Sequence, residues 1–361
     1  MKKLTLLLTT FLTSAVLSAS LLLSSCAPQA TEPPQPASPQ TLTVMTHDSF
    51  SVSEEVVAAF ETANNAKVTF LQSGDAGSML NKAILAKEAP LADVLFGVDN
   101  TFLSRALEAE IFEPYASPAL ANIPAAFQLD PSNRALPVDY GDVCINYDKK
   151  YFSEHALAVP QSLEDLTKPE YANLLVVENP ATSSTGLAFL LATVAHFGED
   201  GYLDYWRDLK ANGVVVVDGW ETAYYTNFSA SSGRGPQPMV VSYGTSPAAE
   251  VIYADPPVDD APTASILGPD TCFRQIEFVG ILKGTQNRAL AEKFVDFMLG
   301  KQFQEDVPLQ MFVYPVNPNA VLPDAFVKYA QAPSQTAALS PEDIAAHRDR
   351  WIQEWTDAVM K

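Results

Sequence analysis

From Thr41 onward the chain alternates short β-branched runs with amphipathic stretches, and this alternation constrains the fold more than any other feature. "TLTVMT" (41–46), "KVTFLQ" (67–72) and "ADVLFGV" (92–98) read as strands. Residues 52–63, 78–88 and 101–111 carry apolar residues at helical spacing, and Ser51 and Glu54 are spaced as a capping box for the first of these helices. After a long extended segment at 135–150 the pattern restarts. Strands are expected at 174–179, 213–218, 238–244 and 274–284, with helices at 201–211, 220–230 and 246–254. The stretch 287–307 is helical throughout, and a C-terminal helix presents Trp351 and Trp355 one turn apart as core anchors. This order predicts an α/β architecture, a parallel sheet with helices on both faces. Two sets of similar length predict two lobes with a cleft between them.

The first twenty-six residues stand outside that pattern. Lys2 and Lys3 precede an apolar stretch ending in "LSSC" (23–26), the form of a bacterial signal peptide. The small residues before Cys26 resemble a lipobox, so Cys26 is expected to become the lipidated N-terminus. The segment 27–40, "APQATEPPQPASPQ", is proline-rich without a large apolar side chain and reads as an extended tether. Without Lys2 and Lys3 the formal net charge of −21 falls to about −23, which argues against a nucleic-acid partner. Beyond Cys26 the cysteines are Cys144 and Cys272, enough for one disulfide in an exported chain, though spacing leaves open whether they meet. His47, His155, His196 and His347 are dispersed and fit no metal motif, so each is read as a surface or packing residue. No metal and no cofactor are expected.

Ligands of open α/β sheets gather beyond the carboxyl ends of strands. Here those ends are polar or aromatic: "THDSF" (46–50), "SGDAGS" (73–78), "VDN" (98–100), "NPATSSTG" (179–186), "DGWETAYY" (218–225) and "SYGTSP" (242–247). Thr182, Ser183, Ser184 and Thr185 precede an apolar helical run, where one hydroxyl would suffice as a cap. Ser183 and Ser184 with the free amides of that helix start form a candidate polar or anion site. Thr245 and Ser246 repeat the arrangement. Trp220 and Tyr243 are placed to stack on a flat or cationic ring. Asp48, Asp99 and Asp139 are candidates to supply negative charge or to accept bonds from an amino group.

"THDSF", "GVDN", "PVDYG", "NPATSSTGL", "GWETAY", "VVSYGTSPA" and "YPVNPNAVLPDAF" occur in the order seen in thiamine-binding proteins of bacterial ABC importers, which the chain resembles from about residue 41 to 357. "LSPEDIAAHRDRWIQEW" extends the likeness. It implies a type II periplasmic-binding-protein fold, two α/β lobes joined by hinge crossings and closing on thiamine or its mono- or diphosphate. The lobes would comprise 41–140 with 272–315, and 141–271 with 316–361. By the same resemblance Asp75, Ala76, Ser183, Ser184, Trp220, Tyr243, Gly244, Thr245 and Ser246 contact ligand, the serines on its phosphate side, beside Asp48 and Asp99. The implied partners are a permease and, through the lipid on Cys26, the membrane; the protein is expected to act as a monomer. His47 stands where the family often has tyrosine, Ala249 replaces an aromatic, Phe312 occupies a tryptophan position, and a tryptophan-bearing insertion after "DSF" is missing.

Two rival readings remain. Ferric-iron binders of this fold use paired tyrosines, and Tyr224 and Tyr225 are adjacent. On a helix at least one of them is expected to pack inward. A thiamine-degrading transferase would need Cys144 as nucleophile, with Glu277 as its base; Cys144 alternates into its strand as a structural residue would.

Overall fold

The computed structural model describes residues 38–230 and 234–361. The expected leader, Cys26 and most of the tether lie outside them. Residues Pro39–Lys361 form one compact unit.

The strands are β1 (Gln40–Thr46), β2 (Ala66–Gln72), β3 (Val94–Asp99), β4 (Phe112–Glu113), β5 (Leu136–Asp148), β6 (Leu175–Glu178), β7 (Val215–Val217), β8 (Met239–Tyr243), β9 (Thr263–Ile266), β10 (Phe273–Leu282) and β11 (Tyr314–Pro315). They join in one sheet of order β2-β1-β3-β10-β5-β8-β6-β7, with β9 and β11 on β5 and β4 on β10. The outer parts, β2-β1-β3 and β8-β6-β7, are parallel as the alternation predicts. The middle departs from it. β10 runs antiparallel to both β3 and β5, and β5 antiparallel to β8. The connection from β4 to β5 holds short 3₁₀ turns and no α-helical crossover. β5 pairs with β10 through its first half and with β8 and β9 through its second, and so bridges the two parallel sets.

The helices are α1 (Glu54–Asn64), α2 (Ala76–Leu85), α3 (Leu103–Glu108), α4 (Lys149–Glu154), α5 (Ser184–Ala211), α6 (Trp220–Thr222), α7 (Ser246–Ile252), α8 (Arg288–Leu299), α9 (Lys301–Gln310), α10 (Asp324–Tyr329) and α11 (Pro341–Val359). α5 is bent at Gly198, and Gly300 divides the single helix expected over 287–307. α6 continues into a π-turn over Ala223–Asn227. One core packs Leu42, Val44 and Phe96 against Phe294, Val307 and Val313; a larger one holds Trp206, Trp351 and Trp355. The two tryptophans of α11 are buried, as their spacing predicts.

The capping box at α1 does not form. Ser53 is the N-cap, and Ser51 turns away, its hydroxyl donating to Gln310 and its amide facing the Met311 sulfur. Cys144 and Cys272 are joined as a disulfide where β5 meets the start of β10. That bond settles the pairing the spacing left open. It also removes Cys144 as a nucleophile, because its sulfur carries no thiolate.

Candidate functional site

Where the parallel strand ends meet, a cavity of about 930 Å³ opens. Its wall includes Asp48, Asp75, Ala76, Ser184, Trp220, Tyr243 and Ser246, residues from five different segments that the sequence singles out. Asp99, Asp139, Ser183, Gly244 and Thr245 stand behind it. Asp99, Asp139, Ser183 and Thr245 are buried without lining the cavity. Gly244 serves the backbone: its amide donates to Asp142 and its carbonyl accepts from Gln331, and a Cβ there would lie 2.4 Å from the Gln331 carbonyl.

Asp75 ties three segments together. As N-cap of α2 it accepts from the Ala76 amide at 2.7 Å, and it also accepts from the amides of Ser184 (3.3 Å) and Trp220 (3.0 Å). One carboxylate thus serves the starts of α2, α5 and α6. This corrects the capping reading of the hydroxyl cluster, since Ser183 is the N-cap residue of α5 but makes no side-chain cap. The Ser78 amide also reaches the Thr182 carbonyl, an approach that Gly77 permits, because a Cβ there would meet Thr182 at 2.9 Å.

The hydroxyls answer to buried acids instead. Burial raises the pKa of Asp75, Asp99 and Glu178. For two of them a nearby hydroxyl pulls it back, Ser183 for Asp75 and Ser184 for Asp99, whereas both Glu178 oxygens are buried without a hydrogen-bond partner among the described residues. Ser183 is spoken for in a second way, sharing a hydrogen bond with the Thr185 hydroxyl at 3.0 Å. Thr182 donates to the Asp218 carbonyl at 2.7 Å. Of Ser183 and Ser184, the cavity sees Ser184.

Asp99, Glu277 and Asp139 stand side by side across β3, β10 and β5, Glu277 in the cavity wall and the two aspartates behind it. Three adjacent buried carboxylates cannot all ionise cheaply. Asp139 is held well above the ordinary range by burial and then by Glu277. Asp99 is pushed to about 6, by burial first. Glu277 stays ionised below its ordinary value although burial opposes this, because His47 lies against it at 3.2 Å. Burial disfavours the imidazolium, but Glu277, Asp75 and Asp48 outweigh it and raise the His47 pKa. His47 was expected on the surface or in packing; it is buried in the cavity wall with a charged partner. Gly97 makes room for it, with φ +102° and no space for a Cβ, which would sit 2.2 Å from the imidazole.

Trp220 is a braced platform. Its ring stacks on Tyr224 at 5.0 Å and 19°, and its indole N–H donates to Ser242 at 2.9 Å. Tyr224 is buried and donates to Glu250, whereas Tyr225 is exposed, so one of the paired tyrosines does pack inward. Tyr243 donates to Gln275, which in turn donates to Asp99. The wall further includes Glu221, Glu250, Tyr253, Asp255 and Phe312. Sequence reasoning did not single out Tyr253, although it lies one helical turn beyond Ala249, on the same face. Six carboxylate residues line the cavity, and among its described lining residues there is no lysine or arginine.

A family model described as bacterial extracellular solute-binding protein matches residues 89–334. The thiamine-binding periplasmic protein of Escherichia coli K12 is 31% identical over 325 residues, 89% of this chain and 94% of that protein. A solved periplasmic thiamin binding protein superposes with a TM-score of 0.78 at 28% identity, covering 91% of this chain and 99% of the other. A ferric binding protein from Campylobacter jejuni shares the fold, with a TM-score of 0.69 at 16% identity, covering 88% and 99%. The fold is that of the type II periplasmic binding proteins, with a cleft between two α/β halves bridged by β5 and β10. The chain belongs to the bacterial extracellular solute-binding proteins.

Proposed function

We propose that this protein is an extracytoplasmic receptor that captures thiamine, or its mono- or diphosphate, and delivers it to an ABC importer. The observation that carries the reading is the cavity itself: aromatic walls, six carboxylate residues and no lysine or arginine among its described lining residues. Such a site favours a flat aromatic cation, and thiamine carries a fixed positive charge on its thiazolium ring. Relatives named for thiamine binding at about 30% identity over most of the chain support the same cargo. Trp220 offers the stacking face, and Asp48 and Glu277 the negative charge. Ser184, at the start of α5, would face the hydroxyethyl or phosphate end. Asp75, Ala76, Tyr243 and Ser246 complete the contact set, with Asp99, Ser183, Gly244 and Thr245 acting from behind. The lobes would divide as 41–140 with 272–315 and 141–271 with 316–361, and lipid on Cys26 would hold the receptor at the membrane.

Titrating purified protein with thiamine, with tryptophan emission as readout, tests the reading. A saturable change, with thiamine recovered by mass spectrometry from the released ligand, is expected; no saturation would sink it. The paired tyrosines give ferric iron a second hearing. Tyr224, however, is committed to Glu250 and stacked on Trp220, which leaves Tyr225 alone as an exposed phenol. A visible tyrosinate–iron band after ferric loading would reverse the order of the two readings.

A further inference from the structure

At the mouth of the cavity, the residue just after α7 reaches across to the far end of α9. The Tyr253 hydroxyl donates to the Leu309 carbonyl at 2.6 Å, and its ring meets Phe312 edge-on, centroids 5.3 Å apart at 84°. Both partners belong to one helix ending. The Val307 carbonyl accepts from the amides of Met311 and Phe312, closing the last turn of α9. The Leu309 carbonyl is among those that a helix end leaves without an intrahelical partner. Tyr253 supplies that partner from the other side of the cleft.

Phe312 has φ +57°, a left-handed conformation that costs free energy in a residue with a bulky side chain. Strain of this kind persists where its surroundings enforce it, and here it accompanies an aromatic ring in the cavity wall. Tyr253 remains 56% exposed, too open for a core residue, while its ring and hydroxyl are both engaged. α7 packs with α10 and β9, whereas the neighbours of α9 are α8, β11, α1 and β5. The contact therefore joins elements that otherwise belong to different walls.

We propose that Tyr253 is a retention-determining residue of the receptor: its hydroxyl bolts the α7 wall to the end of α9, and bound solute leaves only after that bolt opens. The inference rests on the reading of the cavity as a solute site. It concerns release rather than recognition, so its signature is kinetic. Removing a hydrogen bond present in the closed cleft and absent during opening accelerates dissociation and leaves association nearly unchanged.

The test uses the whole mature chain as wild type, Tyr253→Phe and Tyr253→Ala, with thiamine as probe and stopped-flow tryptophan fluorescence as readout. Tyr253→Phe deletes the hydroxyl alone and should raise the dissociation rate about two- to tenfold, the range for one net hydrogen bond. Tyr253→Ala should raise it further, with association within about twofold of wild type and an unchanged melting temperature in both variants. Equal dissociation rates in all three proteins would overturn the proposal, as would rates that merely follow a loss of stability. If wild type binds no thiamine, the functional reading fails separately. Solution scattering of the free proteins then decides: a larger radius of gyration for Tyr253→Ala supports the bolt, and identical profiles overturn it.

Discussion

Replacing Asp99 by asparagine should stabilise this protein at neutral pH, against the usual result of deleting a buried, hydrogen-bonded charge. Asp99 accepts from the backbone and hydroxyl of Thr101 and from Gln275, yet burial and the neighbouring Glu277 raise its pKa from 3.8 to about 6. The sign follows from proton counting. Below 3.8 the carboxyl is protonated in the folded and unfolded chains alike, and it contributes no pH dependence. Between 3.8 and about 6 the unfolded chain releases the proton while the folded one keeps it, so stability falls as pH rises. Above that window the loss is complete. The interval converts to about 3 kcal/mol as an upper bound. Asparagine mimics the protonated form: its oxygen can accept from Thr101, and Gln275 can turn its amide over while still pairing with Tyr243. Urea unfolding of wild type and Asp99→Asn from pH 4 to 7 reads the difference, in which contributions shared by both proteins cancel. The gap should widen in favour of the variant by up to about 3 kcal/mol across that range. A gap that stays flat would mean that Asp99 is ionised well below 6, and the picture of three competing carboxylates would be wrong.

Trp220→Ala should weaken thiamine binding by about 1–3 kcal/mol in a calorimetric titration, since the indole is braced on Tyr224 and Ser242 before ligand arrives; unchanged affinity would return Trp220 to a packing role. Ser184→Ala should narrow the affinity gap between thiamine monophosphate and thiamine, because a charged hydrogen bond is stronger than a neutral one. Ser183→Ala, removing a buried hydroxyl shared with Thr185, should cost about 1 kcal/mol of stability and leave that gap unchanged; the opposite pattern would exchange their roles.

Most elements were legible because their signals are local. Apolar period and polar strand ends place β1, β2, β3, β6 and β8 within a residue or two, and Trp351 and Trp355 announce their burial by spacing alone. Strand direction is another matter. β5 and β10 carry the same apolar runs that a parallel strand would. The Ser51 and Glu54 pair shows the converse failure. Its spacing is right for a cap, but Gln310, 259 residues later, takes the hydroxyl instead.

The site was legible in its members and not in their relations. The sequence marks four hydroxyls around the start of α5 as more than one cap requires. What they attend to comes from elsewhere: Asp75 precedes α2 and Asp99 ends β3. The same holds for His47, whose dispersed position hides Glu277 on β10 as its partner. These long-range pairings share one cause. The cavity concentrates carboxylates, and each that folding buries must be neutralised, solvated by a dipole or matched by a charge. Asp139 takes the first course, Asp75 draws on amides and a hydroxyl, and Glu277 has His47. The Ser183 and Ser184 hydroxyls answer that acidity from the helix start nearest to it, while Thr182 bonds the Asp218 carbonyl.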